Sequence, residues 1–286
     1  MNTTSSTAPV VVGTDGSAPA AVAVGWAART AAAHHRPLRI VHSVGAPVDF
    51  GPGVGFAPFD YETLRKAGQE VVGQARTIAR QAAGEALEIS LLVVEAAPVP
   101  ALRDAAKDAA LLVVGTRGLG AFRRGLLGSV STGLARHALC PVAVIPDHPT
   151  PVEGPVVVGV DGSAGSRRAI ELAFDEAARR RVPLVAVHTW SEFARYDSRD
   201  DMQEQDSALL AESLAGFSES CPDVPVRRVV VADKPARRLL AEAENAQLLV
   251  VGSHGRGGFA GMTLGSVSQA VLHGADCPVL IARGND

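Results

Sequence analysis

The sequence predicts two tandem α/β domains, each a doubly wound, Rossmann-like, five-stranded and mostly parallel sheet flanked by helices. Three observations carry this reading. The chain is duplicated: "VVVGTDGSAPAAVAVGWAARTAAAHHRPLRIVHSV" (10–44) aligns with "VVVGVDGSAGSRRAIELAFDEAARRRVPLVAVHTW" (156–190) at an offset of 146, from Gly13 to Gly159. Later landmarks align at an offset of 137, from Gly115 to Gly252 and from Cys140 to Cys277. Within each copy, short β-branched runs alternate with longer amphipathic stretches. Finally, the unbroken apolar runs Leu111 to Val114 and Leu248 to Val251 suit strands covered on both faces, and strands separated by helices require right-handed parallel crossovers.

In the first copy the pattern places strands at 9–14, 38–44, 87–94, 111–115 and 141–145, with helices at about 18–35, 60–83, 99–109 and 129–138. The difference between the two offsets falls between the second strand and the glycine-rich stretch. It is assigned to the Gly/Pro-rich segment 45–62, read as a surface loop. Residues 1–8 read as a disordered tail, 9–147 and 155–284 as the two domains, and 148–154 as a linker inside the proline-rich "PDHPTPVEGP". Each half, about 140 residues, is large enough for its own core.

Composition narrows the function. The 286 residues carry a net charge of -3, with 47% hydrophobic and 20% charged residues. Without a surplus of Lys and Arg, a nucleic-acid partner is not expected. Cys140, Cys221 and Cys277 are the three cysteines, widely spaced and without a CxxC pair, so neither a zinc site nor a disulfide framework is suggested. The opening "MNTTSSTAP" has no basic and apolar leader pattern, and no run of about 18 apolar residues occurs, so the expectation is a cytoplasmic chain without a membrane span.

The chemistry concentrates in "GTRGLGAFRRGLLGS" (115–129) and "GSHGRGGFAGMTLGS" (252–266), each directly after an apolar strand and before a helix. In a doubly wound sheet, ligands bind outside the carboxyl ends of the strands where strand order reverses. A glycine-rich loop leaving that edge turns backbone N–H groups and a helix N-terminus toward an anion, and phosphate is the natural ligand. Glycines at 115, 118, 120 and 128 permit positive φ and let a ligand approach without a Cβ. Ser129 and Ser266 are read as helix N-caps that also offer a hydroxyl to phosphate.

Both loops fit G-x-x-G, nine residues, then G-S: Gly115, Gly118, Gly128 and Ser129, then Gly252, Gly255, Gly265 and Ser266. Together with "VVVG-x-DGS" at the start of each copy and "CPV" before each last strand, this resembles the ATP-binding signature of the universal stress protein family, over nearly the whole chain. The tandem arrangement is similar to that of actinobacterial members.

The resemblance implies an ATP site, with Mg2+, in each domain. In the first it would involve Gly13, Asp15, Val41, Gly115, Thr116, Arg117, Gly118, Leu119, Gly120, Ala121, Gly128, Ser129 and Val130. In the second it would involve Gly159, Asp161, Val187, Gly252, Ser253, His254, Gly255, Arg256, Gly257, Gly258, Gly265, Ser266 and Val267. Asp15 and Asp161 would lie by the adenosine part or a metal, although "DGS" also reads as a helix start. Val41 and Val187 would give adenine a backbone contact. His42 and His188 read as hydrogen-bonded strand-end residues rather than bases, and Cys140 and Cys277 as small buried residues. Arg117, Arg123, Arg124 and His254 can add phosphate contacts or sit on a solvated loop face.

Neither loop has the lysine of a P-loop, and His254 lacks the partners of a general base. The expected role is therefore a regulatory, non-enzymatic module in which bound ATP biases a surface read by an unidentified partner. A slow ATPase or phosphotransferase and a nucleotide-free scaffold are the alternatives. The last strands "PVAVIP" and "PVLIAR" are short and apolar; the resemblance implies that they pair between domains, making an intrachain pseudo-dimer and a homodimer through edge strands, which would also cover an aggregation-prone edge.

Overall fold

A computed structural model describes residues 8–45, 61–118, 127–148, 151, 153–190, 199–256 and 264–283. The disordered-tail assignment, most of loop 45–62 and part of linker 148–154 lie outside the described residues, as do Leu119, Gly120, Ala121, Arg123, Arg124, Gly257 and Gly258. The structure divides into two compact units, Met1–Cys140 and Pro141–Asp286.

The first unit runs β1 (Val10–Gly13), α1 (Ala18–Ala33), β2 (Leu38–Ser43), α2 (Tyr61–Ala83), β3 (Ile89–Val94), α3 (Pro98–Ala105), β4 (Leu111–Gly115) and α4 (Ser129–His137). Its strands lie in the order β3-β2-β1-β4, all parallel, with Val10 opposite both Leu38 and Leu111. The chain therefore leaves β1 in one direction for β2 and β3 and returns on the other side as β4. The crevice beyond the ends of β1 and β4 is the switch point at which such folds bind ligands.

The second unit repeats this with β6 (Val156–Gly159), α5 (Ala164–Arg180), β7 (Leu184–Trp190), α6 (Arg199–Ser220), β8 (Val226–Ala232), α7 (Pro235–Glu242), β9 (Leu248–Gly252), α8 (Ser266–Gly274) and β10 (Val279–Ala282). It also contains β5 (Val142–Ile145), the last strand of the first repeat, in the order β5-β10-β9-β6-β7-β8. β5 runs antiparallel to β10, with Ala143 opposite Leu280. The division of the chain falls before Pro141 because this ladder holds β5 in the second unit.

The periodicity is borne out to within a few residues in most elements. Helix α3 stops at Ala105 rather than 109, because Ala110 N–H already donates to Pro9 C=O at 2.9 Å and the chain must turn into the ladder. The central strands are buried along their length, from Val10 to Gly13, Leu111 to Gly115 and Leu248 to Val251. Helices cover both faces, and each fully buried Val or Leu contributes about 1.5–3 kcal/mol. Phe174 of α5 stacks on Phe217 of α6, with centroids 5.8 Å apart. Cys140 and Cys277 are buried, and burial pushes the Cys277 thiol up to about 12, which leaves it inert.

The turn from each first strand into its helix is the local feature that fixes the site. Gly16 and Gly162 of the "DGS" turns have φ of 81° and 77°, a left-handed backbone that a side chain strains. Ser17 and Ser163 then cap α1 and α5, their hydroxyls accepting from Ala20 N–H at 3.3 Å and Ser166 N–H at 3.2 Å. In urea denaturation, Gly16→Ala and Gly162→Ala should each lose about 1–2 kcal/mol. Gly73→Ala, inside α2 with open space around its Cβ position, should gain about 0.5–1 kcal/mol.

Candidate functional site

In the second unit, the switch-point crevice is a cavity of about 330 Å³. Its first organiser is Asp161, directly beyond β6. Oδ1 accepts from Ser163 N–H at 2.9 Å and Ser163 Oγ–H at 2.6 Å, while Oδ2 accepts from Arg256 N–H in the glycine loop at 3.1 Å. Burial pushes this carboxyl up, but the hydrogen bonds from Ser163 and the Arg256 backbone outweigh it and hold the group below its ordinary value. One carboxylate thus ties the helix cap to the loop. It also explains Gly255, because a Cβ there would overlap Asp161 Oδ2.

The loop then enters α8 without a side-chain cap. The N-cap residue is Gly265, extended at φ -69° and ψ 155°, and no side chain accepts from the helix's first N–H groups. Gly128 plays the same part in α4, at φ -66° and ψ 153°. This corrects the N-cap reading of Ser129 and Ser266, which are the first helical residues. The glycine takes the cap position because its N–H reaches back across the loop, Gly265 to Ser253 C=O and Gly128 to Thr116 C=O, both at 2.8 Å. Ser268 and Ser131 lock the same junction, their hydroxyls donating to Gly252 C=O at 2.6 Å and Gly115 C=O at 2.7 Å.

The positive-φ expectation for the loop glycines is also corrected: among the described residues, Gly16, Gly84 and Gly162 alone of the glycines adopt it. Gly118 is required for space instead, and Gly115 lies close against neighbouring backbone. A Cβ on Gly118 would overlap Asp15 Oδ2, and one on Gly115 would lie 3.2 Å from Pro19 O.

Ten predicted residues meet around the second cavity: Gly159, Asp161, Val187, Gly252, His254, Gly255, Arg256, Gly265, Ser266 and Val267. Ser253 does not line it and acts through its carbonyl and through Oγ, 3.2 Å from His254 Nδ1. In the first unit, Asp15 Oδ1 accepts from Ser17 N–H at 3.0 Å and Ser17 Oγ–H at 2.6 Å, repeating the Asp161 arrangement. Gly13 closes β1 against Leu102, whose Cδ1 would lie 2.7 Å from an added Cβ. Thr116 and Arg117 follow β4, Ser129 and Val130 open α4, and Thr116 Oγ1 is buried without a hydrogen-bond partner among the described residues.

Val41 and Val187 lie inside β2 and β7, opposite Gly13 and Gly159 at the ends of β1 and β6, their carbonyls accepting from Thr14 N–H and Val160 N–H at 2.9 Å, which leaves each a second lone pair. His42 and His188 prove hydrogen-bonded: Nδ1 faces Thr14 O at 2.8 Å and Val160 O at 2.7 Å, and since a carbonyl only accepts, Nδ1 carries the proton.

Sequence reasoning missed part of the lining: Val160, Thr189, Pro235, Leu239 and Val251, and the serines Ser166 and Ser268. A signal was present. "GSVS" recurs at 128 and 265, and Pro98 and Leu102 precede Pro235 and Leu239 by the 137 residues that separate the glycine loops. The cavity thus has an apolar side, an uncapped helix N-terminus, and Asp161, His254 and Arg256 as its charged or titratable residues. It suits an elongated ligand with a flat apolar end and an anionic end.

Because the Asp161 carboxyl is held below the ordinary value of about 3.9, its contribution to stability is complete above that value and is lost as pH falls through the lowered one. Asp161→Asn should therefore be less stable than the wild type at pH 7, with the difference closing in acid. Urea titrations of both proteins across this range check it; an unchanged gap would remove the carboxylate from its clamping role.

Comparison with known proteins agrees with this geometry. The chain is 46% identical over 284 residues to a universal stress protein of Mycobacterium tuberculosis, covering 96% of each. A second from that organism is 44% identical over 296 residues, covering 99% of each. A universal stress protein structure from Archaeoglobus fulgidus superimposes with a TM-score of 0.73 at 21% identity, over 96% of this chain and 98% of that one, and shares its fold. The pattern of the Universal stress protein family matches residues 7–146 and again 154–283. The chain belongs to the universal stress protein family, with two copies of its domain in tandem.

Proposed function

We propose that the protein binds ATP, one molecule per repeat, as a retained ligand whose occupancy biases a conformation or surface read by a regulatory partner in the stress response. The observation that carries this is the helix N-terminus left without a side-chain cap on one side of a 330 Å³ cavity whose other side is apolar. A helix start without a cap has backbone donors and a positive dipole end to offer phosphate. Ser266 Oγ can add a hydroxyl donor, and Arg256 a charge. The adenine would lie against Pro235 and Leu239 with Val187 at its edge, and Mg2+ would ride on the phosphates. The first repeat offers the same donors at Ser129 and Val130 beside Asp15.

Storage rather than turnover is favoured by the lining. It contains no lysine, and both oxygens of Asp161 already accept hydrogen bonds, so no free carboxylate is poised to take a proton from an attacking water. ATP can act on a partner only by binding two conformations with different affinity. We place the chain in the cytoplasm, with 9–147 and 155–284 as its domains joined through 148–154. The β5–β10 pairing supports an intrachain pseudo-dimer, and the short last strands support self-association.

Gly265→Asp and Gly128→Asp test the site without breaking the fold. Both positions are already extended, and a Cβ would lie 3.4 Å from Ser253 O and 3.2 Å from Thr116 O. Aspartate would cap the helix, adding up to about 1 kcal/mol of stability, while setting its charge against phosphate. Nucleotide released by denaturing the wild type should be intact ATP at about two per chain, falling to about one in either variant with an unchanged or raised Tm. Mostly ADP would favour the slow ATPase. No nucleotide, and none taken up from Mg-ATP, would leave the scaffold.

A further inference from the structure

The two repeats differ in the helix that covers the "DGS" turn. In the first unit α2 lies over it, with Val71 Cγ2 3.3 Å from the Cβ position of Gly16. In the second unit α6 does the same, with Leu209 Cδ1 3.5 Å from that of Gly162. Three residues earlier on each helix the chemistry diverges: Gly68 in α2, Asp206 in α6. Gly68 presses on His42, such that a Cβ would lie 3.1 Å from its Cδ2, with Val93 and Val44 equally close. That contact carries no charge on the helix side.

Asp206 instead puts Oδ1 3.2 Å from Nε2 of His188, whose side chain is 4% exposed against 15% for Asp206. Nε2 is not aligned for a full hydrogen bond and has no other partner among the described residues, so the contact is ionic only where the ring carries a second proton. Because Nδ1 donates to Val160 O, the ring satisfies both neighbours only as an imidazolium. The neutral ring would turn the Nε2 lone pair toward a carboxylate, leaving a buried charge unpaired. Other groups around His188 do not replace the proton: Val230 is its partner on β8, and Asp161, beyond Val160, is held by Ser163 and the Arg256 backbone.

We propose that His188 and Asp206 are a positioning pair that seats α6 over the turn of the second site only while the imidazole is protonated, and that the first repeat, with Gly68 at the matching place, lacks this control. Val160 and Asp161 line the second cavity and are continuous with the carbonyl that His188 holds. Loosening α6 therefore loosens the cover of that site and not of the other. The consequence for ligand retention rests on the nucleotide reading above; the helix docking does not.

The test is hydrogen exchange of the full chain without added ligand between about pH 5 and 8, the span in which imidazoles titrate, corrected for intrinsic rates. Protection of α6 should fall on the order of tenfold as pH rises, the loss expected when a buried pair is broken, while α2 stays level. Asp206→Asn, which keeps the shape and can bond either form of the ring, should flatten the α6 profile, and His188→Gln should do the same. A level wild-type profile, or an Asp206→Asn slope equal to the wild type's, overturns the pair. In a Gly128→Asp background, Mg-ATP affinity should fall with pH more steeply than in the same background carrying Asp206→Asn; equal slopes overturn the coupling. An α6 slope in a protein that takes up no Mg-ATP supports the pair and defeats the nucleotide reading instead, so the two failures are separable.

Discussion

The hydrogen bonds of one carboxylate organise each site. Asp161 gives one oxygen to the residue that caps α5 and the other to the backbone of the glycine loop, so the ends of β6 and β9 are held in one register by a group that belongs to neither the sheet nor the ligand. Several sequence features follow from that placement. The turn before the cap must be left-handed, which fixes Gly162; the loop must pass against the carboxylate, which fixes Gly255. Ionised, the carboxylate accepts stronger hydrogen bonds than a neutral oxygen would, and these bonds offset the cost of half-burying it. The same dependence appears at Asp15, Gly16 and Gly118, so the duplication preserved a working unit rather than a set of independent residues.

The helix starts that flank the two sites are of two kinds. Where a helix follows the first strand of a repeat, as α1 and α5 do, a serine accepts from the first turn and the start is closed, whereas α3 and α7 begin at a proline without a side-chain cap. Where a helix follows the glycine loop, the cap is a glycine that spends its N–H on the loop itself and contributes no side-chain acceptor. A serine stands directly after that glycine in both repeats, one position too late to cap. Departures from local rules of this kind concentrate at functional sites. Here the departure costs the helix only roughly a few tenths of a kcal/mol, since glycine is itself a tolerated N-cap, and it leaves the first N–H groups without a side-chain acceptor.

Why the fold was legible and the cavity only half so is clear from particular residues. Strands such as Leu111 to Gly115 announce themselves because burial on both faces demands an unbroken apolar run, and the repeat doubles every signal. The loop glycines were found by spacing but explained wrongly: Gly118 serves the close approach of Asp15, a contact between segments a hundred residues apart that no local pattern encodes. Ser129 was taken for a cap because serine favours that position, a preference overridden by the loop-closing bond of Gly128 N–H. Pro235 and Leu239 reach the cavity from a short helix on the neighbouring connection, and their side chains look like ordinary core until topology brings them across β6. His188 was read correctly as a structural residue, but its partner Asp206 lies on α6, where a lone acid reads as solvated surface.

Duplication gives such a protein more than a second copy of one site. Two identical sites respond to one ligand concentration together, so occupancy carries a single number. Divergence in the cradle would endanger it, because a Cβ at position 255 would overlap Asp161 Oδ2 and unseat the carboxylate that holds the loop. The covering helix is the place where the repeats do differ: α2 and α6 each set an apolar side chain against the turn, and the position three residues earlier holds Gly68 in one and Asp206 in the other. A difference placed there leaves the donors of both sites intact and alters only the free energy of the conformation that presents them. By the logic of population shift, a site whose competent state is populated to a smaller fraction shows its affinity reduced by that fraction. On the ligand-binding reading proposed above, unequal covers on equal cradles would let one chain read a single ligand against two thresholds.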